Sequence, residues 1–284
     1  MDQHTEISNV AIWGLGRVGT GFALALKSLP ISLHLYSSSE VSRQRAAELG
    51  LSVEASIDEW KTKAQTSQVV ALGWSDDALM GALSTLAIPL TSQQTVVHFS
   101  GLLNGANLGT SVASLGSVHP LAACPNPHTA EEVFKRGPLV LEGSEQACKI
   151  LEKLTSALGA RSFHLNEGQK TKYHAGAVLA SNALVGLLHL ARKEWEQAGL
   201  ANANELLVSL SQSALNAVAE QGLKDGLTGP LKRSDLGSLE HHLSVLDHDP
   251  SLIYKALHRQ LIDLLGKDFF DTDVKEALET LLKN

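Results

Sequence analysis

Three glycines near the amino terminus have the spacing of a phosphate-binding turn. An apolar run, Val10-Ala-Ile-Trp, leads directly into Gly14, Gly16 and Gly19, and a helix-like apolar pattern follows. In such a turn the glycines permit a sharp bend, close backbone approach to phosphate and tight packing of helix on strand. Free N–H groups at the helix start attract the phosphate charge. A glycine-rich turn in a fold that has lost its cofactor is the alternative. The residues predicted to bind a dinucleotide here are Gly14, Leu15, Gly16, Arg17, Val18 and Gly19.

The residues after the second predicted strand bear on which dinucleotide binds. Proteins that bind NAD usually place Asp or Glu there to bond the ribose 2′-hydroxyl. Here Ser37 and Ser38 occupy that place, and Arg43 follows. Hydroxyl groups and a guanidinium suit a 2′-phosphate, so the sequence favours NADP over NAD. Glu40 is the competing ligand, and Ser37 to Glu40 can instead form a capping box on the next helix.

Side chains able to move protons follow the later strands. Ser100 ends the fourth predicted strand and His119 lies at the end of the fifth, at the sheet edge where ligand sites form. His174 and Asn182 lie in a long apolar stretch, where either a substrate or core hydrogen bonds must satisfy them. We expect His174, then His119, to donate the proton, with Ser100 and Asn182 orienting the substrate. Turn chemistry for Ser100 and a structural role for His119 remain open. Trp74 is predicted to line the cofactor cleft.

The elements that position these residues alternate between strand and helix. The alternation predicts an α/β domain at residues 1–165, a Rossmann-type, mostly parallel sheet with helices on both faces. Strand signals then vanish, which predicts an all-helical C-terminal domain at 166–284. Its first helix is expected to run from an N-cap at Asn166 to Gln197 and to stop at Gly199. Predicted strands span 9–13, 32–36, 68–72, 95–99, 113–118, 139–142 and 161–165, and other helices span 18–28, 40–49, 57–63, 77–87, 144–158, 204–220, 237–246, 251–264 and 273–282.

The charge and cysteine content of the chain limit the classes of partner that it is expected to bind. The chain has 23 basic and 30 acidic residues, so no basic surplus exists to bind nucleic acid or an anionic membrane. Cys124 and Cys148 form no CxxC pair, which favours a reducing, cytoplasmic setting without disulfides or a metal site. The polar N-terminus does not resemble a signal peptide.

The apolar stretch 175–191 contains Asn182 and His189, so we interpret it as a buried helix rather than a membrane span. A helix of about 30 residues also carries more apolar surface than a small domain covers, which predicts a homodimer through the helical domain.

The order of the motifs resembles a known family. The glycine turn is followed by His98-Phe-Ser-Gly, Ser117-Val-His-Pro-Leu, Tyr173-His-Ala-Gly-Ala-Val-Leu-Ala-Ser-Asn, and Thr228-Gly-Pro-Leu-Lys-Arg-Ser-Asp with His242-Leu. Across almost the whole chain, this order is similar to the family that pairs a Rossmann-like domain with a DUF2520 helical domain. It is more distantly similar to pyrroline-5-carboxylate reductases, deazaflavin-dependent NADP reductases and 3-hydroxyacid dehydrogenases. The resemblance implies an NADP-type oxidoreductase of undefined substrate whose helical domain commonly dimerises.

Two positions depart from these relatives. Ser234 stands where the family loop usually has glycine, which disfavours a positive-φ turn there. Val178 stands four residues before Asn182, where the hydroxyacid dehydrogenases have lysine, so their lysine mechanism is not transferred, although Lys170 and Lys172 lie nearby. We predict an oxidoreductase that moves hydride to or from a small polar carbonyl, imine or alcohol substrate. A non-catalytic NADP-binding module and a deazaflavin-dependent NADP reductase are the alternatives.

Overall fold

The computed structural model describes residues 7–200, 202–266 and 268–283. Seven strands form one sheet in the order β2-β1-β3-β4-β5-β6-β7. Strands β1 to β5 run parallel, β6 is antiparallel to β5, and β7 is parallel to β6. The predicted α/β fold with a mostly parallel sheet is therefore confirmed. The strands are β1 (Asn9–Trp13), β2 (Ser32–Tyr36), β3 (Val69–Leu72), β4 (Thr95–His98), β5 (Ser114–Pro120), β6 (Pro138–Gly143) and β7 (Arg161–His164).

Helices cover the sheet and then make up the C-terminal part of the chain. The helices that accompany the sheet are α1 (Arg17–Leu26), α2 (Glu40–Glu48), α3 (Ile57–Ala64), α4 (Asp76–Leu79), α5 (Ala82–Leu86), α6 (Pro127–Arg136), α7 (Glu145–Leu158) and α8 (Lys170–Ala180). The remaining helices are α9 (Asn182–Gln197), α10 (Ala203–Gly226), α11 (Leu236–Val245), α12 (His248–Leu265) and α13 (Thr272–Leu281).

The order in which strands are added to the sheet reverses at β1. Strand β2 pairs with one side of β1, and β3 pairs with the other. The carboxyl ends of β1 and β3 therefore flank the point at which an open α/β sheet forms its binding crevice. Gly14 follows β1 and Gly73 follows β3, so both glycines lie at this crevice.

An aromatic core holds α1 and α6 against one face of the sheet. Phe22 lies 4.9 Å from Phe134 and 5.2 Å from Phe99, measured between ring centroids. A Cβ atom on Gly21 would lie only 2.4 Å from the Cβ of Ala130, so the two helices touch where glycine stands. The sequence analysis missed α6, although Asn126 caps it and proline opens it, because no apolar repeat long enough to indicate a helix is present there.

The described contacts divide the chain into two compact units, Met1–Ser181 and Asn182–Asn284. The division comes later than the boundary predicted after residue 165, because α8 belongs to the sheet unit. In the second unit, an apolar core is formed by Leu231, Leu239, Leu265, Phe270, Leu278 and Leu282.

Two predicted helices are interrupted. The helix expected over 77–87 is divided into α4 and α5, because Gly81 between them has a φ of 67°. The helix expected from Asn166 to Gln197 begins only at Lys170 and breaks at Ser181, which has φ −125° and ψ −77°. It ends as predicted near Gly199, where φ is 78°.

The interpretation of 175–191 as a buried helix is wrong for the single chain. No residue of α9 is buried within the part of the chain that the structure describes. Leu179 is 70% exposed and Val185 is 65% exposed. The helical stretch Lys170–Gln197 is long and apolar enough to cross a membrane. A single helix of this kind is weak evidence for a membrane span, because the core helix of a soluble protein passes the same test.

Candidate active site

Three glycines form a cradle at the carboxyl ends of β1 and β3. A Cβ atom on Gly19 would lie 2.0 Å from the carbonyl oxygen of Gly14, and one on Gly73 would lie 2.3 Å from the same oxygen. Gly14 itself has a φ of 112°. No side chain larger than hydrogen fits between these backbones. The sequence analysis missed Gly73, although its place directly after the third strand was a signal.

The start of α1 is open in a way that suits an anion. No described atom lies within 4 Å of the position that a Cβ on Gly16 would take, and Gly16 and Arg17 are exposed. No side chain among the described residues caps α1. Its first N–H groups and positive dipole end therefore remain available, and this fits the pyrophosphate of a dinucleotide. Side chains cap the starts of α2, α3, α6 and α7 instead; the capping residues are Ser39, Ser56, Asn126 and Ser144.

At the end of β2, Ser37 is buried and Ser38 is exposed. The Ser37 hydroxyl accepts a hydrogen bond from the backbone N–H of Ser39 at 3.3 Å. Ser39 caps α2, so the alternative capping box between Ser37 and Glu40 is wrong. Arg43 donates to the Ser37 carbonyl oxygen at 2.6 Å and also to the Glu40 carboxylate. The guanidinium thus lies beside the end of β2, as a 2′-phosphate ligand would have to.

Trp74 belongs to an aromatic group at the same sheet edge. Its ring lies 4.7 Å from the ring of Trp13, the last residue of β1. Trp13 also contacts Tyr36 at 5.9 Å and Trp60 at 5.4 Å. Trp74 is half-buried, and its role in lining a cofactor cleft stays a prediction.

Ser100 and its neighbour His98 organise the turn after β4. The Ser100 hydroxyl oxygen accepts hydrogen bonds from the N–H groups of Leu102 and Leu103, at 3.1 and 3.0 Å. The Ser100 N–H donates to Nδ1 of His98, whose Nε2 lies 3.2 Å from the Asn104 carbonyl oxygen. Burial lowers the pKa of His98 to about 3, so this ring is neutral. Ser100 therefore stabilises the turn after β4, which is the structural role that the sequence analysis kept as an alternative.

The structure brings His119 and His174 together. Nδ1 of His119 lies 2.6 Å from the hydroxyl of Tyr173, and the His119 and His174 rings are 5.9 Å apart. A Cβ on Gly101 would lie 2.5 Å from Nδ1 of His174 and 2.9 Å from Nε2 of His119. The two nitrogens therefore converge beside Gly101. Nδ1 of His174 is buried and has no hydrogen-bond partner among the described residues.

A buried ion pair lies next to the histidines. Lys170 is 1% exposed, and its ammonium donates to the hydroxyl of Ser117 and lies 3.8 Å from the Glu142 carboxylate. That carboxylate also accepts from the Ser117 hydroxyl at 3.2 Å and from the Gly105 N–H at 2.9 Å. The Glu142 carboxylate therefore has three polar neighbours: the Lys170 ammonium, the Ser117 hydroxyl and the Gly105 N–H.

Burial and charge set the protonation states of this cluster. Burial lowers the pKa of Lys170 to about 8, against the opposing pull of the Glu142 and Asp76 carboxylates. Burial, followed by the charges of Lys170 and His174, lowers the pKa of His119 to about 4. At neutral pH, His119 is neutral while Lys170 is mostly charged.

The sequence analysis missed Glu142, Ser117 and Tyr173 and set Lys170 aside. One signal was present, since Lys170, Tyr173 and His174 are spaced so that a single helix face carries all three. The contacts with β5 and β6 had no such signal. Asn182 begins α9 in the second unit, and its proposed role stays a prediction. Among residues 7–200, 202–266 and 268–283, no cluster of three His, Cys, Asp or Glu residues is placed to hold a metal ion.

The family loop in the second unit differs from expectation at one position. Ser234 has φ 56° and ψ 31°, so the positive-φ turn forms although glycine is absent. The side chain of Asp235 then caps α11 by accepting from the N–H of Ser238 at 3.1 Å. Arg233 lies at the end of a short 3₁₀ turn, Leu231–Arg233, and is exposed.

Part of the chain matches a known domain family. Residues 137–261 match the family model for DUF2520, a domain of unknown function. This part of the chain is similar to that domain family. This confirms the predicted resemblance, and the match begins at β6, within the sheet unit. No curated protein matches the sequence.

Solved structures share the fold at low sequence identity. An NADP oxidoreductase candidate, BF3122 from Bacteroides fragilis, is 22% identical with a TM-score of 0.70, covering 89% of this chain and 97% of that one. A reductive aminase from Aspergillus terreus in complex with NADPH and ethyl levulinate is 17% identical with a TM-score of 0.65, covering 97% and 99%. The 1-pyrroline-5-carboxylate reductase of Streptococcus pyogenes is 18% identical with a TM-score of 0.58, covering 96% of each chain.

Proposed function

We propose that this protein is an NADP-dependent oxidoreductase that moves hydride to or from a small polar carbonyl, imine or alcohol substrate. One observation carries the proposal. The open start of α1 follows the carboxyl end of β1, and His119, which contacts Tyr173, lies near the carboxyl end of β5 in the same parallel part of the sheet. The names of the structural neighbours, which include an NADP oxidoreductase candidate and a complex with NADPH, support this function.

The residues divide the work between binding and proton transfer. NADP supplies the hydride chemistry when it is bound. The N–H groups at the start of α1 would hold its pyrophosphate, and Arg43 and Ser38 would bind its 2′-phosphate. If Tyr173 donates to Nδ1 of His119, then the single N–H proton of that neutral ring is on Nε2, which lies beside Gly101 as Nδ1 of His174 does.

This pair of nitrogens is the proposed proton-transfer site. Nδ1 of His174 lacks a partner among the described residues, so a substrate oxygen or nitrogen would satisfy it. After burial, the positive charge of Lys170 is the next largest cause of the lowered pKa of His119. The same field would stabilise negative charge that develops on a substrate heteroatom.

The test begins with nucleotide binding and ends with turnover. We expect NADPH to bind more tightly than NADH in a fluorescence titration. Oxidation of NADPH is then measured across a panel of carbonyl and imine compounds. Tight NADPH binding without oxidation of any compound would favour the non-catalytic module instead.

Once a substrate is found, His174→Ala is expected to lower kcat by about 10²- to 10⁴-fold with little change in the Kd for NADPH. His128→Ala is the matched control, because His128 is 67% exposed on α6. If His174 were only a core hydrogen-bonding residue, its variant would lower Tm and leave activity per folded molecule intact.

The proposal includes a homodimer formed through the helical part of the chain, in the cytoplasm. Exposed apolar side chains are concentrated on α8 to α10, including Leu179, Val185, Val208 and Leu210. Apolar surface of this extent is typical of an interface. Light scattering at micromolar concentration is expected to give the mass of a dimer, and Val185→Glu is expected to shift it toward monomer. A monomer in the wild type would contradict this part of the proposal.

A further inference from the structure

The end of β2 contains an arginine whose charge is already engaged. Arg43 donates a hydrogen bond from Nη1 to the carbonyl oxygen of Ser37 at 2.6 Å and another from Nη2 to the carboxylate of Glu40. Ser37 is only 5% exposed, so the first contact fixes the guanidinium beside the end of the strand. The second contact places a negative charge against the same group.

Glu40 is itself held in this position. Its second carboxylate oxygen lies 3.3 Å from the side-chain amide nitrogen of Gln44, one turn further along α2. The Glu40 side chain is nevertheless 63% exposed, whereas the Arg43 side chain is 29% exposed. The carboxylate is therefore the more solvent-exposed member of the ion pair.

A carboxylate and a phosphate compete for the same guanidinium donors. Arginine binds either anion through its planar N–H fork, and both ligands carry negative charge. A 2′-phosphate must displace Glu40 from Arg43 or accept a like charge beside it. NADH has a 2′-hydroxyl instead, which does not need the guanidinium and can donate to a carboxylate.

We propose that Glu40 is a specificity-determining residue that limits the preference for NADPH over NADH by competing with the 2′-phosphate for Arg43. This inference rests on the proposed function, because it requires a dinucleotide at the carboxyl end of β2. Glu40 would thus weaken the preference for NADPH over NADH that Ser37, Ser38 and Arg43 favour.

The experiment compares dissociation constants and needs no substrate. NADPH and NADH are titrated separately into the full-length wild type and into Glu40→Gln, with nucleotide fluorescence as the readout. Glutamine keeps the size of the side chain and removes its charge. We expect the ratio of the NADH Kd to the NADPH Kd to rise by about 3- to 10-fold in the variant, chiefly because NADPH binds more tightly.

Two further variants assign the effect to the Glu40–Arg43 contact. In the double variant Glu40→Gln/Arg43→Ala, the gain is expected to disappear, because no guanidinium remains to be released. Glu48→Gln is the matched control, since it removes an exposed negative charge from the other end of α2, and its ratio is expected to match the wild type. The Tm of each variant is measured to confirm folding.

Each result bears on a separate claim. An unchanged ratio in Glu40→Gln, with Arg43→Ala still weakening NADPH selectively, would overturn the inference and leave NADP binding in place. An equal rise in Glu48→Gln would also overturn it, because the effect would then be a general one of net charge. Failure of the wild type to bind either nucleotide would overturn the proposed function itself.

Discussion

Two regions of the candidate site, called here the glycine end and the charged end, differ in the atoms that form them. The glycine cradle is formed by backbone atoms of Gly14, Gly19 and Gly73, which have no side chains to titrate or rotate. The charged cluster around Lys170 and His119 is formed by buried side chains from β5, β6 and α8. The first end depends on close approach of the chain to itself, and the second on charges satisfying one another. Mutations at the two ends should therefore lower the free energy of unfolding for different reasons.

The charged end should respond most strongly to loss of one partner. Lys170→Met leaves the Glu142 carboxylate buried without its cation. We expect the free energy of unfolding to fall by about 3–5 kcal/mol, the usual cost of breaking a buried pair from one side. Urea denaturation at neutral pH measures it.

A second variant distinguishes charge from packing. Glu142→Gln in the Lys170→Met background is expected to recover part of the loss, because no unpaired charge then remains. Lys172→Met, two residues away on an exposed part of α8, should stay within about 0.5 kcal/mol of the wild type. A Lys170→Met protein as stable as this control would show that the buried pair has no energetic role.

The stability of the glycine end should depend only on the volume of the side chain introduced there. In Gly19→Ala the new methyl group would lie 2.0 Å from the Gly14 carbonyl oxygen, and backbone on both sides prevents easy relief. We expect a loss of about 3 kcal/mol in the free energy of unfolding, at the upper end for overpacking. NADPH binding should weaken with it, as fluorescence titration can measure.

Gly176→Ala is the control for this substitution. Gly176 lies in α8, where nothing stands within 4 Å of a new Cβ, so alanine should stabilise the helix slightly. Equal stability of the Gly19 and Gly176 variants would mean that the cradle can open without cost.

This contrast explains how much the sequence could predict. The strand before Gly14, the turn and the start of α1 are close together in the chain, and their steric requirements appear as glycine spacing. The bounds of β1 and β2 were predicted correctly for the same reason, since alternation and apolar runs are local. The α/β class followed from these local patterns.

The charged cluster could not be predicted in this way. Lys170 meets Ser117 and Glu142 across long separations, through strand pairing between β5 and β6. Nothing in the spacing of these three residues indicates that they meet. The break at Ser181 was also unpredicted, because the apolar pattern continues through it while the backbone does not.

The charged end should also respond to pH, and the glycine end should not. His98 and His119 have pKa values of about 3 and about 4 in the folded protein, below the ordinary value of 6.5. The unfolded chain therefore binds protons that the folded chain does not. Stability is fully present above about pH 6.5 and is lost as pH falls toward 4, by up to about 1.4 kcal/mol per pH unit for each histidine.

Urea denaturation at intervals between pH 7.5 and 4.5 measures this slope. His119→Asn removes one of the two groups, and its slope is expected to be smaller by up to about 1.4 kcal/mol per pH unit. A variant slope equal to that of the wild type would mean that His119 takes up its proton in the folded state as readily as in the unfolded chain.

The smallest expected effect concerns a backbone requirement that the residue type does not meet. Ser234 has a φ of 56°, a conformation that glycine adopts freely, whereas other residues pay about 1–2 kcal/mol for it. Ser234→Gly removes this strain but adds freedom to the unfolded chain, which costs about 0.5–1 kcal/mol. We therefore expect a net gain of about 0.5 kcal/mol in the free energy of unfolding. Ser213→Gly is the matched control, because Ser213 lies exposed inside α10, where glycine should destabilise the helix. Opposite signs for the two changes would show that the turn, like the cradle, is governed by backbone conformation. The same sign for both would mean that the Ser234 side chain stabilises the turn by contacts that outweigh its strain.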